Sequence, residues 1–195
     1  MDTVQTRSER TRLFSIMFGL TLLAGAVLRL YDLGGKSAWF DEIHTFNDAR
    51  ETYRFWGKTH ILYFLIVRAS LFFGRSEVWL RLPSALFGIL SIPLLYFAAL
   101  EITGDRRTAL LAAFLLALNR IHIQHSQEAR FYPAMFFWSA LGIYLFGLFL
   151  RKGSLAALAL LPVCALAGYL THPTTLVFSG MLLAWALFCS WPGIL

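Results

Sequence analysis

The sequence predicts an all-α, polytopic membrane protein. Of its 195 residues, 58% are hydrophobic and only 14% charged, and mean hydropathy is +0.63. A soluble domain of this length needs a far more polar surface, so lipid is the expected solvent for most of the chain. The apolar residues also fall into runs near the ~20 residues that a ~30 Å hydrocarbon layer requires, with short polar links between them. Eighteen Phe and six Trp suit lipid contact and interfacial belts better than a compact aqueous core.

Residues 1–12 form a polar tail with Arg7, Arg10 and Arg12. The run 13–31 is long enough to span, and no small-residue cleavage site follows it, so it reads as a true span and not a cleaved signal. Residues 34–79 are expected as one long loop outside the bilayer, with helices lying at the interface. Within it, "DARETYRFW" is amphipathic, and "HILYFLIVRASLFFG" (60–74) would cover only about 22 Å as a helix. Arg68 near the middle of that segment would cost roughly 2.5–3.5 kcal/mol at a bilayer centre, which argues for lying flat.

Further spans are expected at 82–100, 108–124, 131–150, 154–171 and 174–191, making six in all. Pro93 falls inside a span and should kink it, whereas Pro83 and Pro133 sit near helix starts, where proline costs little. Cys164 and Cys189 lie within apolar runs and suggest neither a disulfide framework nor a ligand set. The net charge of +6 comes from short basic clusters between apolar runs, the pattern of membrane loops and not of a nucleic-acid surface.

With 60–74 lying flat, Asp41, Glu42, His60, His122, His125, Gln127, Glu128, Arg130 and His172 all fall on one side of the membrane. If that segment crossed, Asp41 and Glu128 would lie on opposite faces. The side of the N-terminus carries seven cations and the other ten, but several of those ten are interleaved with acids and Arg29, Arg81 and Arg120 border spans, so the positive-inside bias only weakly favours a cytoplasmic N-terminus.

Two constellations carry chemistry. Adjacent Asp41 and Glu42 repel, so one can stay ionised while the other is tied to a cation or metal, and a carboxylate at a membrane surface can accept a hydroxyl proton. A solvated acidic turn fits the same spacing, although Trp39, Phe40 and Phe46 suggest a shaped site. In "IHIQHSQEARFY", His122, His125 and Glu128 recur every third residue on one helical face. They suit zinc or manganese, and equally suit polar capping of two span ends. Arg130 offers bidentate binding to a phosphate, such as that of a lipid. His172, in "LTHPTT", carries no weight alone.

Taken in order, "GGKSAWFDE", "HILYFLIVRASLFFGRSEVWLRLPSALFGILSIPLLYFAALEITGDRRTALLAAFLLAL", "HIQHSQEARFYP" and "YLTHPTT" resemble bacterial GT-C glycosyltransferases. From about residue 13 onward the chain resembles the dolichyl-phosphate-mannose–protein mannosyltransferase family, including the aminoarabinose lipid A transferases. The resemblance implies a multi-pass inner (plasma) membrane enzyme with the 1–12 tail in the cytoplasm and the 34–79 loop on the extracytoplasmic side. It would move a sugar, with inversion, from a polyprenyl-phosphate donor to an extracytoplasmic lipid, glycan or protein acceptor. It places the family's catalytic aspartate on Asp41, with Glu42 beside it. Its donor-phosphate motif falls on Ser126, Gln127, Glu128, Ala129, Arg130 and Tyr132, its preceding histidine on His122, and its "TH" pair on Thr171 and His172.

Relatives commonly read "HPPLYY" where this chain has His60, Ile61, Leu62, Tyr63 and Phe64, which bears on the acceptor side. They also continue for several hundred residues, so residues 1–195 read as one transmembrane N-terminal module without the family's C-terminal remainder. On this reading Asp41 is the base and Glu42 is catalytic beside it, orienting the site or holding a divalent ion; Arg130 and His172 face the leaving phosphate with Gln127 and Tyr132 nearby, and His60, His122, His125 and Glu128 serve the acceptor side or a divalent ion (Mg, Mn or Zn). The rival reading is a lipid-binding or transport-like protein without catalysis, or an inactive partial chain. Charges at span ends instead of mid-span argue against a conduction path.

Overall fold

The computed structural model describes residues 2–51 and 59–189. Among these, every regular element is a helix: α1 (Asp2–Leu30), α2 (Phe40–Arg50), α3 (Ile61–Leu71), α4 (Glu77–Thr103), α5 (Arg106–Ala117), α6 (Arg120–Ser126), α7 (Tyr132–Lys152), α8 (Leu155–Thr171) and α9 (Thr175–Cys189). Part of the "DARETYRFW" segment and the end of the 174–191 run lie outside the described residues.

Local chemistry sets most of the boundaries. Gly104 (φ 69°) and Gly153 (φ 62°) end α4 and α7 in the left-handed conformation that a Cβ disfavours. The Asp105 carboxylate then caps α5 by accepting the Arg107 and Thr108 N–H groups, and Ser154 Oγ caps α8 by accepting the Ala157 N–H.

Among the described residues three helices are long and apolar enough to cross a membrane: Thr11–Leu30 within α1, α4 and α7. The expected single span 108–124 is instead two helices broken at Leu118–Asn119. Asn119 Oδ1 accepts the His122 N–H and starts α6, while Arg29 takes the last carbonyls of α5, Leu116 and Ala117. Twelve residues of α5 cover only about 18 Å. Helix α8 has 17 residues and α9 is described over 15, so among the described residues three of the six expected spans reach full length. Helix α3, with 11 residues, reaches about 16.5 Å and is too short to cross.

Helix α4 is the central post, packed against α1, α3, α5, α6 and α7. Its buried face is rich in small residues (Ser84, Ala85, Gly88, Ser91), which lets neighbouring backbones come close. A Cβ at Gly88 would overlap the Ser126 hydroxyl and stand 3.1 Å from Arg29 Cδ. Large apolar side chains such as Leu20, Leu23, Leu90 and Leu115 face outward, as a lipid-facing surface requires.

The two ends of the bundle differ. At one end Glu101 meets Lys152 at 2.6 Å and Arg151 at 3.7 Å, beside the Arg106–Arg107 pair that opens α5. At the other, α2, α3, α4, the α6–α7 turn and the start of α7 share a core of Ala49, Tyr63, Phe64, Val67, Leu80, Ala129, Phe131 and Ala134.

Candidate active site

The adjacent acids of the first loop have different environments. Glu42 is fully buried in the first turn of α2. Its two oxygens accept from Arg81 Nε and Nη2, each at 2.8 Å, and Oε1 also accepts the Ala129 N–H at 2.7 Å. Burial alone would push this carboxyl up; the Arg81 contacts and the Ala129 N–H outweigh it and hold the group below its ordinary value. Arg81 also donates to the Leu33, Lys36 and Ser37 carbonyls. One buried ion pair thus ties α2, α4, the 33–37 turn and the α6–α7 turn together, and leaves Glu42 no exposed oxygen for a substrate.

Asp41, one residue earlier, is a third exposed, and its Oδ2 lies 2.9 Å from Arg130 Nη1. The Arg130 guanidinium lies over Phe131 (5.2 Å) and Tyr132 (5.5 Å), and its backbone carbonyl accepts Ser84 Oγ at 2.8 Å. Ser84 Oγ in turn sits 2.7 Å from the hydroxyl of the buried Tyr63. Both the head and the root of Arg130 are therefore held in place, while its Nε is buried without a partner.

Next to Arg130, three rings stack: His60 on Phe131 (4.2 Å), Phe131 on His172 (4.5 Å) and His60 on His172 (4.9 Å). The Thr171 carbonyl can only accept, so His60 Nδ1 donates to it at 3.0 Å. His172 has the opposite tautomer: its Nδ1 accepts the Thr174 N–H, which puts the neutral ring's proton on Nε2. Burial lowers both imidazoles below the ordinary value, and the positive charge of Arg130 adds to this. At neutral pH the stack is uncharged, and His172 offers a neutral Nε2–H beside a guanidinium.

The remaining expected residues lie apart from this pair. His122 Nδ1 faces Arg29 Nη2 at 3.0 Å in the bundle interior. Burial and then Arg29 and His125 lower His122 to about 4. His125 turns instead to Glu128 (3.2 Å) and packs on Tyr132 (4.6 Å). Gln127 donates to the Leu28 and Tyr31 carbonyls, closing the end of α1. Because His122 turns inward, His122, His125 and Glu128 do not converge. Among the described residues no group of three His, Cys, Asp or Glu side chains could hold a metal ion, so no step is assigned to one.

Reasoning from the sequence missed Arg81, Arg29, Ser84, Tyr63 and Phe131. An available signal was a cation at the edge of an apolar run: Arg29 and Arg81 both border spans, where a charge persists only with a partner.

Fold and site together define a helical membrane protein with a carboxylate–guanidinium pair and a histidine stack at one end of its bundle. The chain belongs to the dolichyl-phosphate-mannose-protein mannosyltransferase family, whose model matches residues 51–191. That stretch contains His60, Arg130 and His172 and begins after Asp41 and Glu42. The chain is also similar to an uncharacterized protein of Aquifex aeolicus (strain VF5), at 28% identity over 150 residues. The alignment covers 69% of this chain but only 30% of that relative, so the chain spans less than a third of the relative's length. No solved structure matches the chain.

Proposed function

We propose that the protein is a membrane glycosyltransferase that moves a sugar from a polyprenyl-phosphate donor to an extracytoplasmic acceptor, with inversion at the anomeric carbon. The observation that carries this reading is the 2.9 Å pair of Asp41 and Arg130, partly exposed at one end of the bundle in a chain of this family.

The pair supports an ordered exchange. Without donor, Arg130 Nη1 occupies Asp41 Oδ2 at 2.9 Å and keeps that oxygen from an incoming hydroxyl. A donor phosphate competes for the guanidinium, with the His172 Nε2–H beside it, and so frees the carboxylate. Asp41 then takes the proton from the acceptor hydroxyl as that oxygen bonds to the anomeric carbon. The bond from that carbon to the phosphate oxygen breaks, and its electron pair leaves with the polyprenyl phosphate, whose charge Arg130 offsets. Burial in the salt bridge with Arg81 makes Glu42 the support of this arrangement, not a second base.

The test is to incubate full-length enzyme with radiolabelled polyprenyl-phosphate sugars and follow the label into lipid, glycan and protein fractions. Asp41→Asn is expected to lower transfer by about 10²–10⁴-fold while donor still binds. Transfer at the wild-type rate by this variant would remove Asp41 as the base.

A further inference from the structure

At the end of the bundle away from Asp41, α5 opens with Arg106 and Arg107. From Arg107 an open groove of about 940 Å³ runs along the bundle between α1 and α5. Leu13, Leu20 and Ala24 form one wall and Leu111, Phe114 and Leu118 the other, all of them exposed. From Leu13 to Ala24 the α1 wall is about 16.5 Å long, close to half of a ~30 Å hydrocarbon layer. The groove therefore has the depth of one leaflet.

Its two parts differ in chemistry. Below the mouth the walls offer a ligand nothing polar, because the Thr21 hydroxyl is spent on the Met17 carbonyl of its own helix at 2.8 Å. The mouth is cationic. Among the described residues no ion pair involves Arg106 or Arg107, and both are exposed. Asp105, the acid next to them, gives its carboxylate to the Arg107 and Thr108 N–H groups and the Thr108 hydroxyl. Arg151 and Lys152 share the single carboxylate of Glu101, so this end of the bundle keeps a positive excess.

An occupant that satisfies both parts has an acyl chain and an anionic head. Guanidinium groups at the mouth suit a phosphodiester, which they can bind bidentately. A choline or ethanolamine head would set its own cation against them, and an apolar helix would leave them unmatched.

We propose that this groove binds an anionic phospholipid, its phosphate at Arg106 and Arg107 and one acyl chain between α1 and α5. The site is independent of the transfer reading. Asp41 lies at the other end of the bundle, so the groove serves no step of the transfer and its ligand is not the sugar donor. The lipid instead fastens α5, whose twelve residues are too few to cross a membrane, along the full-length span of α1.

The experiment titrates the full-length protein in detergent with phosphatidylglycerol and with phosphatidylcholine of the same acyl chains, read by native mass spectrometry. Phosphatidylglycerol is expected to bind at least about fivefold tighter. The double variant Arg106→Gln/Arg107→Gln should abolish that preference, since it keeps the backbone contacts to Asp105 and removes only the charges. Ala24→Phe, at an exposed position in the groove wall, should weaken phosphatidylglycerol about tenfold with both arginines in place. A lipid-free Tm within about 3 °C of wild type checks that each variant is folded. A competition arm adds polyprenyl phosphate, which should not displace the bound lipid. Equal affinity for the two phospholipids, or a preference that survives both variants, overturns the proposal. So does displacement by polyprenyl phosphate, which would make the groove a donor site. A full-length protein that retains no phospholipid overturns it as well, because another protein segment then covers the groove.

Discussion

Replacing Glu42 by glutamine separates the two acids of the first loop most sharply. The substitution keeps the shape and removes the charge from a side chain with no exposed surface. Arg81 retains the carbonyls of Leu33, Lys36 and Ser37, yet loses two carboxylate contacts of 2.8 Å. Hydrogen bonds to charged groups contribute about 1.5–3 kcal/mol each. In either orientation the glutamine NH₂ is set against an Arg81 donor, Nη2 together with the Trp39 N–H or Nε together with the Ala129 N–H. The expected cost is therefore about 3–5 kcal/mol, the range for breaking one half of a buried pair. Arg81→Met should cost as much, and the double variant less than the sum, with a coupling of about 2 kcal/mol or more. Denaturant unfolding in detergent, followed by tryptophan fluorescence, measures all three. Asp41→Asn, at a partly exposed pair, should cost no more than about 1 kcal/mol in the same assay while lowering transfer about 10²–10⁴-fold. A Glu42→Gln cost under about 1 kcal/mol, or strict additivity in the double variant, would refute the anchoring role.

Arg130→Lys keeps the charge but not the planar fork over Phe131 and Tyr132, and transfer should fall about 10²–10³-fold with the fold intact, measured as kcat for labelled donor. His122, at the polar end of the bundle in α6, drops from an ordinary 6.5 to about 4 in the folded chain, facing Arg29 from α1 and His125 from its own helix. Its folded value lies below its unfolded one, so its contribution is complete above pH 6.5 and is lost as pH falls toward 4, by about 3 kcal/mol. Unfolding midpoints across that window should show the slope, and His122→Gln should flatten most of it. Gly88→Ala should destabilise by about 1–3 kcal/mol because its Cβ meets Ser126, whereas Gly19→Ala, which meets nothing within 4 Å, should be neutral or slightly stabilising in thermal melts.

Much of the architecture was legible residue by residue. The apolar runs marked α1, α4 and α7, because hydrocarbon thickness converts directly into a residue count. The short reach of 60–74 excluded it as a span for the same reason. The break inside 108–124 was not legible. Asn119 is only one polar residue in an apolar run until it caps a helix, and Arg29, 87 residues away, takes the carbonyl of Leu116.

By itself the sequence determined that this chain is a helical membrane protein and that its polar chemistry gathers at the ends of its helices, since both follow from the cost of placing charge and free backbone in hydrocarbon. It could not say which cation meets which acid. Asp41 and Glu42 are neighbours in sequence, but the helical turn between them points one at Arg130 and the other at Arg81. His122 shares a helical face with His125 on paper and turns to Arg29 in the fold. Those partnerships depend on the depth and rotation at which α4 packs against its neighbours, a property of the whole assembled bundle and of no single segment.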